Sequence, residues 1–167
     1  MATNWTIGSK IRDRWTVYRV LKSGADVVYV VHDAQLRRVL DARTPADGAS
    51  AKPFLSAAQA WLKLGHHANI VCAQFVETIE DRPVLFVDHI SGEPLNLWTD
   101  TARLTKDLTQ ALRFAIQLCD AMTHAAARGL PAHGDLRPQN CLVTRDGTLK
   151  VTNFGMAAIL NAARSTP

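Results

Sequence analysis

The stretch over residues 133–155, HGDLRPQNCLVTRDGTLKVTNFG, gathers side chains able to do chemistry. Asp135 offers a carboxylate, Arg137 a guanidinium, and Asn140 and Asn153 two amides. Their spacing is that of a phosphoryl-transfer site. Such a reaction leaves the protein little covalent work, and catalysis is positioning plus neutralisation of charge around the transferred group. Each charged side chain then has a specific task, and its loss a specific cost. This stretch has the spacing but not the full set of charges.

Those residues need elements to hold them. Residues 15–21 (WTVYRVL), 27–33 (VVYVVHD) and 37–43 (RRVLDAR) are dominated by β-branched and aromatic residues and predict strands, with a turn near Gly24 and a loop over 44–52. Residues 53–65 predict a helix, with Pro53 at its first position and Gly65 just past its end. Phe54, Ala58, Trp61 and Leu62 share one face of it. Two more strands are predicted over 70–79 and 83–90, and SGEP, residues 91–94, reads as a hinge between two lobes. From Leu108, apolar residues at Leu112, Ala115, Cys119, Met122 and Ala126 predict a helix with one buried face, stopped by Gly129 and Pro131. Residues 141–152 predict a hairpin turning at Asp146-Gly147. The expected fold class is α+β. A strand-rich half with one helix leads through a connector to a helical half, whose small hairpin carries HGD on one side and NFG on the other.

The bulk properties exclude several classes. A chain of 167 residues can build one domain with a real core or two small lobes. A net charge of +4 without a long Lys/Arg run does not point to nucleic acid. No apolar run approaches the roughly 20 residues that span a bilayer, and the N-terminus lacks the apolar centre of a secretory signal. Cys72, Cys119 and Cys141 are far apart in apolar surroundings, and are expected as reduced, buried thiols rather than a disulfide frame or metal knot. These features predict a cytoplasmic protein with no membrane partner.

HGDLRPQN (133–140), NFG (153–155), GHHANIV (65–71) and VLFVDHISGEPL (84–95) resemble the protein kinase family, and specifically bacterial serine/threonine kinase-like domains. The resemblance covers about residues 15–160. It implies a protein kinase-like two-lobe fold: an extension over 1–14, a strand-rich N-lobe over 15–90, a hinge at 91–94, and a partial C-lobe over 95–167. It also implies ATP and Mg²⁺. The phosphates would lie under Ser23 and Gly24, and the adenine between Val28 above, Val87, Asp88 and Ile90 at the hinge, and Leu142 beneath. Arg43 takes the place of the phosphate-gripping lysine, or Ala42 does if the register shifts by one residue. Asp135 takes that of the base, and Arg137 that of the lysine that contacts the γ-phosphate. Asn140 and Asn153 fall on the two metal-binding positions.

The departures concern charge. The three phosphate-loop glycine positions fall on Leu21, Ser23 and Asp26, so Gly24 is out of phase and Asp26 would set a carboxylate against a polyphosphate. Asp41 falls where a small apolar residue would cover the adenine. The helical glutamate that would pair the lysine is Ala57 or Ala58, and no acidic residue exists between 53 and 65. Gly134 replaces an arginine. Asn153 replaces a metal-binding aspartate, and Mg²⁺ favours carboxylate oxygens. Loss of one electrostatic group from an active site often costs about 10²–10³ in rate. The resemblance also implies further helices after NFG that would bury the back of the 108–128 helix. With the chain ending at Pro167, part of that apolar stripe is expected to be bare and to take a protein partner.

Three readings follow. The first is a catalytically impaired pseudokinase acting as a binding or regulatory module. The second is a weakly active ATP-dependent serine/threonine kinase or small-molecule phosphotransferase using Asp135, since HGDL followed by Asn also occurs in phosphotransferases that resemble aminoglycoside kinases. The third is a non-catalytic fragment that packs on a partner.

Overall fold

The computed structural model describes residues 4–23, 26–46 and 50–156. Gly24, a candidate phosphate-loop residue, lies outside them. The elements in chain order are β1 (Lys10–Ile11), β2 (Trp15–Ser23), β3 (Asp26–Asp33), β4 (Arg38–Pro45), α1 (Ala51–Leu64), β5 (Ala73–Ile79) and β6 (Arg82–Asp88). Then come β7 (Gly92–Pro94), α2 (Asn96–Asp100), α3 (Arg103–Lys106), α4 (Leu108–Ala127), a 3-10 turn at Pro138–Asn140, β8 (Cys141–Thr144) and β9 (Leu149–Val151).

The first six strands form one antiparallel sheet in the order β1-β2-β3-β4-β6-β5. One of its faces is held by an aromatic cluster: Phe86 lies against both Trp15 and Phe75, with ring centroids 4.6 and 4.7 Å away, and those two rings are 6.4 Å from each other. Asp33 anchors the sheet end. Its carboxylate accepts from Trp15 Nε1 at 2.8 Å, from the Arg14 guanidinium, and from the backbone N–H groups of Gln35 and Leu36. Residues 70–79 were expected as one strand, but the strand begins only at Ala73. Ile70 instead makes a single parallel bridge to Val151.

Helix α1 starts at Ala51, so Pro53 is its third residue and not its first as expected. Proline is tolerated there because the first-turn N–H groups have no partner within the helix. Gly65 ends it as predicted, at φ 64°, with its N–H donating to the Leu62 carbonyl. The helix buries Phe54, Ala57, Ala58, Trp61 and Leu64.

The segment after α1 ties the two halves together. Trp61 Nε1 donates to the Val71 carbonyl at 2.8 Å. Val71 N–H donates to the Val151 carbonyl, and Val151 N–H to the Asn69 carbonyl, both at 2.8 Å. Asn69 Nδ2 donates to the Leu149 carbonyl at 2.9 Å. GHHANIV therefore fixes β9, and with it the residues that follow β9, against the first helix.

Residues 91–94 are not an open connector. Gly92–Pro94 pairs with β8 in a second sheet of order β7-β8-β9. A Cβ on Gly92 would fall 2.4 Å from the Val143 carbonyl oxygen, so only glycine fits that approach.

Helix α4 corrects two expectations. Its buried residues are Phe114, Ala121 and Ala125, whereas Leu108, Leu112, Ala115, Cys119 and Ala126 are exposed and Met122 is half-buried. The helix carries two apolar stripes. The one that meets β9 and Trp98 is the Phe114 stripe, and periodicity alone does not say which of two stripes finds a neighbour. Cys119 is thus an exposed thiol, not a buried one. Cys141 is buried, which pushes its thiol up to about 11.

Candidate active site

Antiparallel pairing of β3 with β4 sets Val28 opposite Arg43 and Asp26 opposite Pro45. Residues two apart on a strand share a face, so Asp26 and Arg43 form a diagonal cross-strand pair. Arg43 Nε donates to Asp26 Oδ2 at 2.9 Å, and Nη2 donates to the same oxygen. Both residues are buried, each at 7% exposure. Arg43 Nη1 donates to Asn153 Oδ1, and the guanidinium lies 5.7 Å from the centroid of the Trp61 ring.

The polar chain continues through the loop. Asn153, held at φ 69°, donates from Nδ2 to Asn140 Oδ1 at 2.7 Å. Asn140 Nδ2 donates to the Asp135 backbone carbonyl at 2.7 Å and to its Oδ2 at 2.9 Å. Arg137 Nε lies 3.1 Å from Asp135 Oδ2. Asp26, Arg43, Asn153, Asn140, Asp135 and Arg137 therefore form one continuous chain from the six-stranded sheet to the loop before β8. The expected site residues Arg43, Asn153, Asn140, Asp135 and Arg137 are thus brought together and bonded in series, and Asp26, expected only as a charge hostile to phosphate, joins them.

The helix contributes no charge. Ala57 and Ala58 are buried, and Ala57 packs on the backbone of Gly155, where a glycine Cβ would lie 3.5 Å from Ala57. At the hinge, Val87 is buried, while Ile90 and Leu142 are partly buried against the core. Asp88 accepts from Gln74 Nε2 at 2.8 Å and pairs with Arg38 at 3.2 Å. Val28 is buried on the same face of the sheet as its cross-strand partner Arg43. Ser23 ends β2 and pairs with Asp26, so only two residues connect β2 to β3.

Two participants were missed in the sequence. His89 Nδ1 lies 2.7 Å from Asp41 Oδ1, which raises the imidazole above its ordinary range, because the carboxylate hydrogen-bonds the charged form. Its place between the two expected hinge residues Asp88 and Ile90 was the available signal. His133 Nε2 lies 2.7 Å from the Thr152 carbonyl, and its ring is 4.6 Å from that of Phe154. Burial depresses its pKa.

The family model for protein tyrosine and serine/threonine kinases matches residues 39–166. The chain belongs to the protein kinase family. Among curated relatives, serine/threonine-protein kinase Pkn1 of Myxococcus xanthus is 31% identical over 155 residues, covering 87% of this chain and 22% of Pkn1. Probable serine/threonine-protein kinase PknB of Lactococcus lactis is 30% identical, covering 96% of this chain and 26% of that protein. The solved kinase domain of Mycobacterium tuberculosis PknI aligns with a TM-score of 0.76 at 19% identity, covering 92% of this chain and 64% of that domain. This kinase-like chain thus has the two-lobe fold, and spans about a quarter of the length of those curated relatives.

Kinases use ATP and Mg²⁺, and the residues present do not fit either group well. The cation placed for the phosphates, Arg43, already holds the Asp26 carboxylate. The two metal positions are neutral amides whose oxygens already accept from Arg43 and from Asn153. No group of three or more metal-ligating residues exists among the described residues. No helix among them is long and apolar enough to cross a membrane.

Proposed function

We propose that this kinase-like domain is a pseudokinase, a binding or regulatory module whose nucleotide cleft is held by its own side chains. The observation that carries this reading is the buried Asp26–Arg43 pair. It sets an internal carboxylate on the cation that would otherwise receive phosphate. The amide-to-amide link between Asn153 and Asn140 supports it by occupying both metal positions without an anionic ligand. The exposed Leu108, Leu112 and Ile116 of α4 support a protein partner on that face.

The test is a thermal melt of the 167-residue chain at about 0.1 mM ATP, a hundred times a micromolar Kd, with and without Mg²⁺. A ligand bound at that saturation adds about 2.7 kcal/mol, which is a rise of several degrees for a chain of this size. The expected result is a cooperative melt that does not move. A rise that grows with Mg²⁺, together with γ-phosphate transfer abolished by Asp135→Ala, would replace this reading with that of a weak phosphotransferase.

A further inference from the structure

Strand β2, the hinge and the turn between β8 and β9 enclose a cleft of about 530 Å³. That size takes a small organic ligand. Of the residues expected to contact ATP, the cleft shares only Ile90. Ile90, Trp98 and Val143 give it an apolar side. Two arginines line it from different lobes: Arg19 from β2 and Arg145 from the turn after β8. Both are exposed, and neither forms an ion pair among the described residues.

The other charges at the cleft have partners. His89 holds Asp41, and Glu93 accepts from Arg103 Nη1 at 2.8 Å. Asp146, next to Arg145 but not lining the cleft, stays anionic, its carboxylate accepting from the hydroxyls of Thr144 and Thr148. Among the residues that line the cleft, the charges without an ionic partner are therefore positive, those of Arg19 and Arg145. A guanidinium presents a planar fork of donors that matches the oxygens of a carboxylate or phosphate.

We propose that this cleft binds a small organic oxyanion, with its carboxylate or phosphate on Arg19 and Arg145 and its apolar body against Ile90, Trp98 and Val143. Because the two arginines belong to different lobes, the bound anion bridges them and holds the lobes together beside the hinge. The site shares only Ile90 with the expected nucleotide cleft and does not rest on the pseudokinase reading.

The probes are phenyl phosphate and benzoate, titrated into the 167-residue chain and followed by tryptophan fluorescence and ligand-observed NMR. Saturable binding is expected for at least one of them, with phenol at least about tenfold weaker, since a hydrogen bond to a charged group contributes enough for a factor of ten or more. Arg19→Ala and Arg145→Ala should each weaken binding about tenfold while leaving the melting temperature unchanged. If either alanine variant lowers the melt, Arg145→Lys serves instead, since it keeps the charge and loses the fork. Added ATP should leave the probe in place. The proposal fails if neither anion binds saturably, if the double alanine variant binds as the wild type does, or if ATP displaces the probe.

Discussion

Asp26→Ala tests whether the carboxylate is structurally bound to Arg43 or merely near it. The substitution leaves a guanidinium at 7% exposure with Asn153 Oδ1 as its remaining side-chain acceptor. Removing one partner of a buried ion pair costs about 3–5 kcal/mol, because the other charge stays behind uncompensated. The surviving Asn153 contact places the expected loss near the lower end, about 3 kcal/mol. For a chain of this size that is a fall in Tm of roughly 6–12 °C. Arg43→Met should be damaging for the complementary reason, since it strands the Asp26 carboxylate. The double variant Asp26→Ala with Arg43→Met removes both charges, and replacing a buried pair by apolar groups is often close to neutral. Urea unfolding of the four proteins gives the coupling directly. A loss below about 1 kcal/mol for Asp26→Ala, or single losses that simply add in the double variant, would refute a desolvated pair.

Three further outcomes are expected. His89 should titrate above its ordinary value of 6.5, and Asp41→Asn should bring it down. A raised folded-state pKa means that the pair's stabilisation is complete below the unfolded value and fades as pH rises through the folded one, which an NMR titration of the imidazole reads. Asp33 moves the other way. Burial alone would raise it, but the hydrogen bonds from Arg14, the Leu36 and Gln35 backbone and Trp15 outweigh that and hold it at about 2 against an ordinary 3.8. That difference corresponds to about 2 kcal/mol, present above pH 3.8 and lost as pH falls toward 2. Asp33→Asn should therefore be less stable near pH 7 and show a flatter decline in acid, measured by urea midpoints across that range. On α4, Leu112→Glu should change stability by under about 0.5 kcal/mol, because Leu112 is 55% exposed. Urea midpoints of the two proteins measure the difference. A large fall in stability would mean that the face is covered within the chain.

The frame was legible because it is written in local patterns. β-branched runs gave β2, β3, β4 and β6 within a few residues, and Asp146-Gly147 marked the β8–β9 turn. Motif spacing located Asp135, Asn140 and Asn153, and the structure bonds them in series. What the sequence hid is who holds whom. Asp26 was legible as a charge hostile to phosphate, but its pairing with Arg43 depends on β3–β4 register, which places residue 26 diagonally from 43. His89 was not legible because its partner Asp41 lies on β4, far away in sequence. The apolar stripe of α4 was visible, but its neighbour was not. Phe114, Ala121 and Ala125 form a second apolar stripe on the helix, and tertiary contact with β9 chooses that one.

The same bonds that stabilise the site also set a quantitative limit on nucleotide binding. Asp26 and Arg137 together with Arg43 and Asp135 carry two negative and two positive charges, and Asn140 and Asn153 supply donors and acceptors between them. These four charges balance one another. On the proposed reading, an incoming polyphosphate has to displace Asp26 from Arg43 before it gains that cation. If separating the pair costs about 3 kcal/mol, a ligand whose other contacts support a Kd of 1 μM would bind at roughly 0.15 mM, since each 1.4 kcal/mol is tenfold. Asp26→Ala removes this competitor and leaves an unsatisfied guanidinium that favours an anion. ATP should therefore bind the variant about a hundredfold more tightly than the wild type, and should recover part of the stability the substitution removed. Calorimetric titration of both proteins decides it. Equal affinities would mean that Asp26 does not stand in the phosphate position, and that Asp41 or the loss of the metal ligands is the stronger barrier.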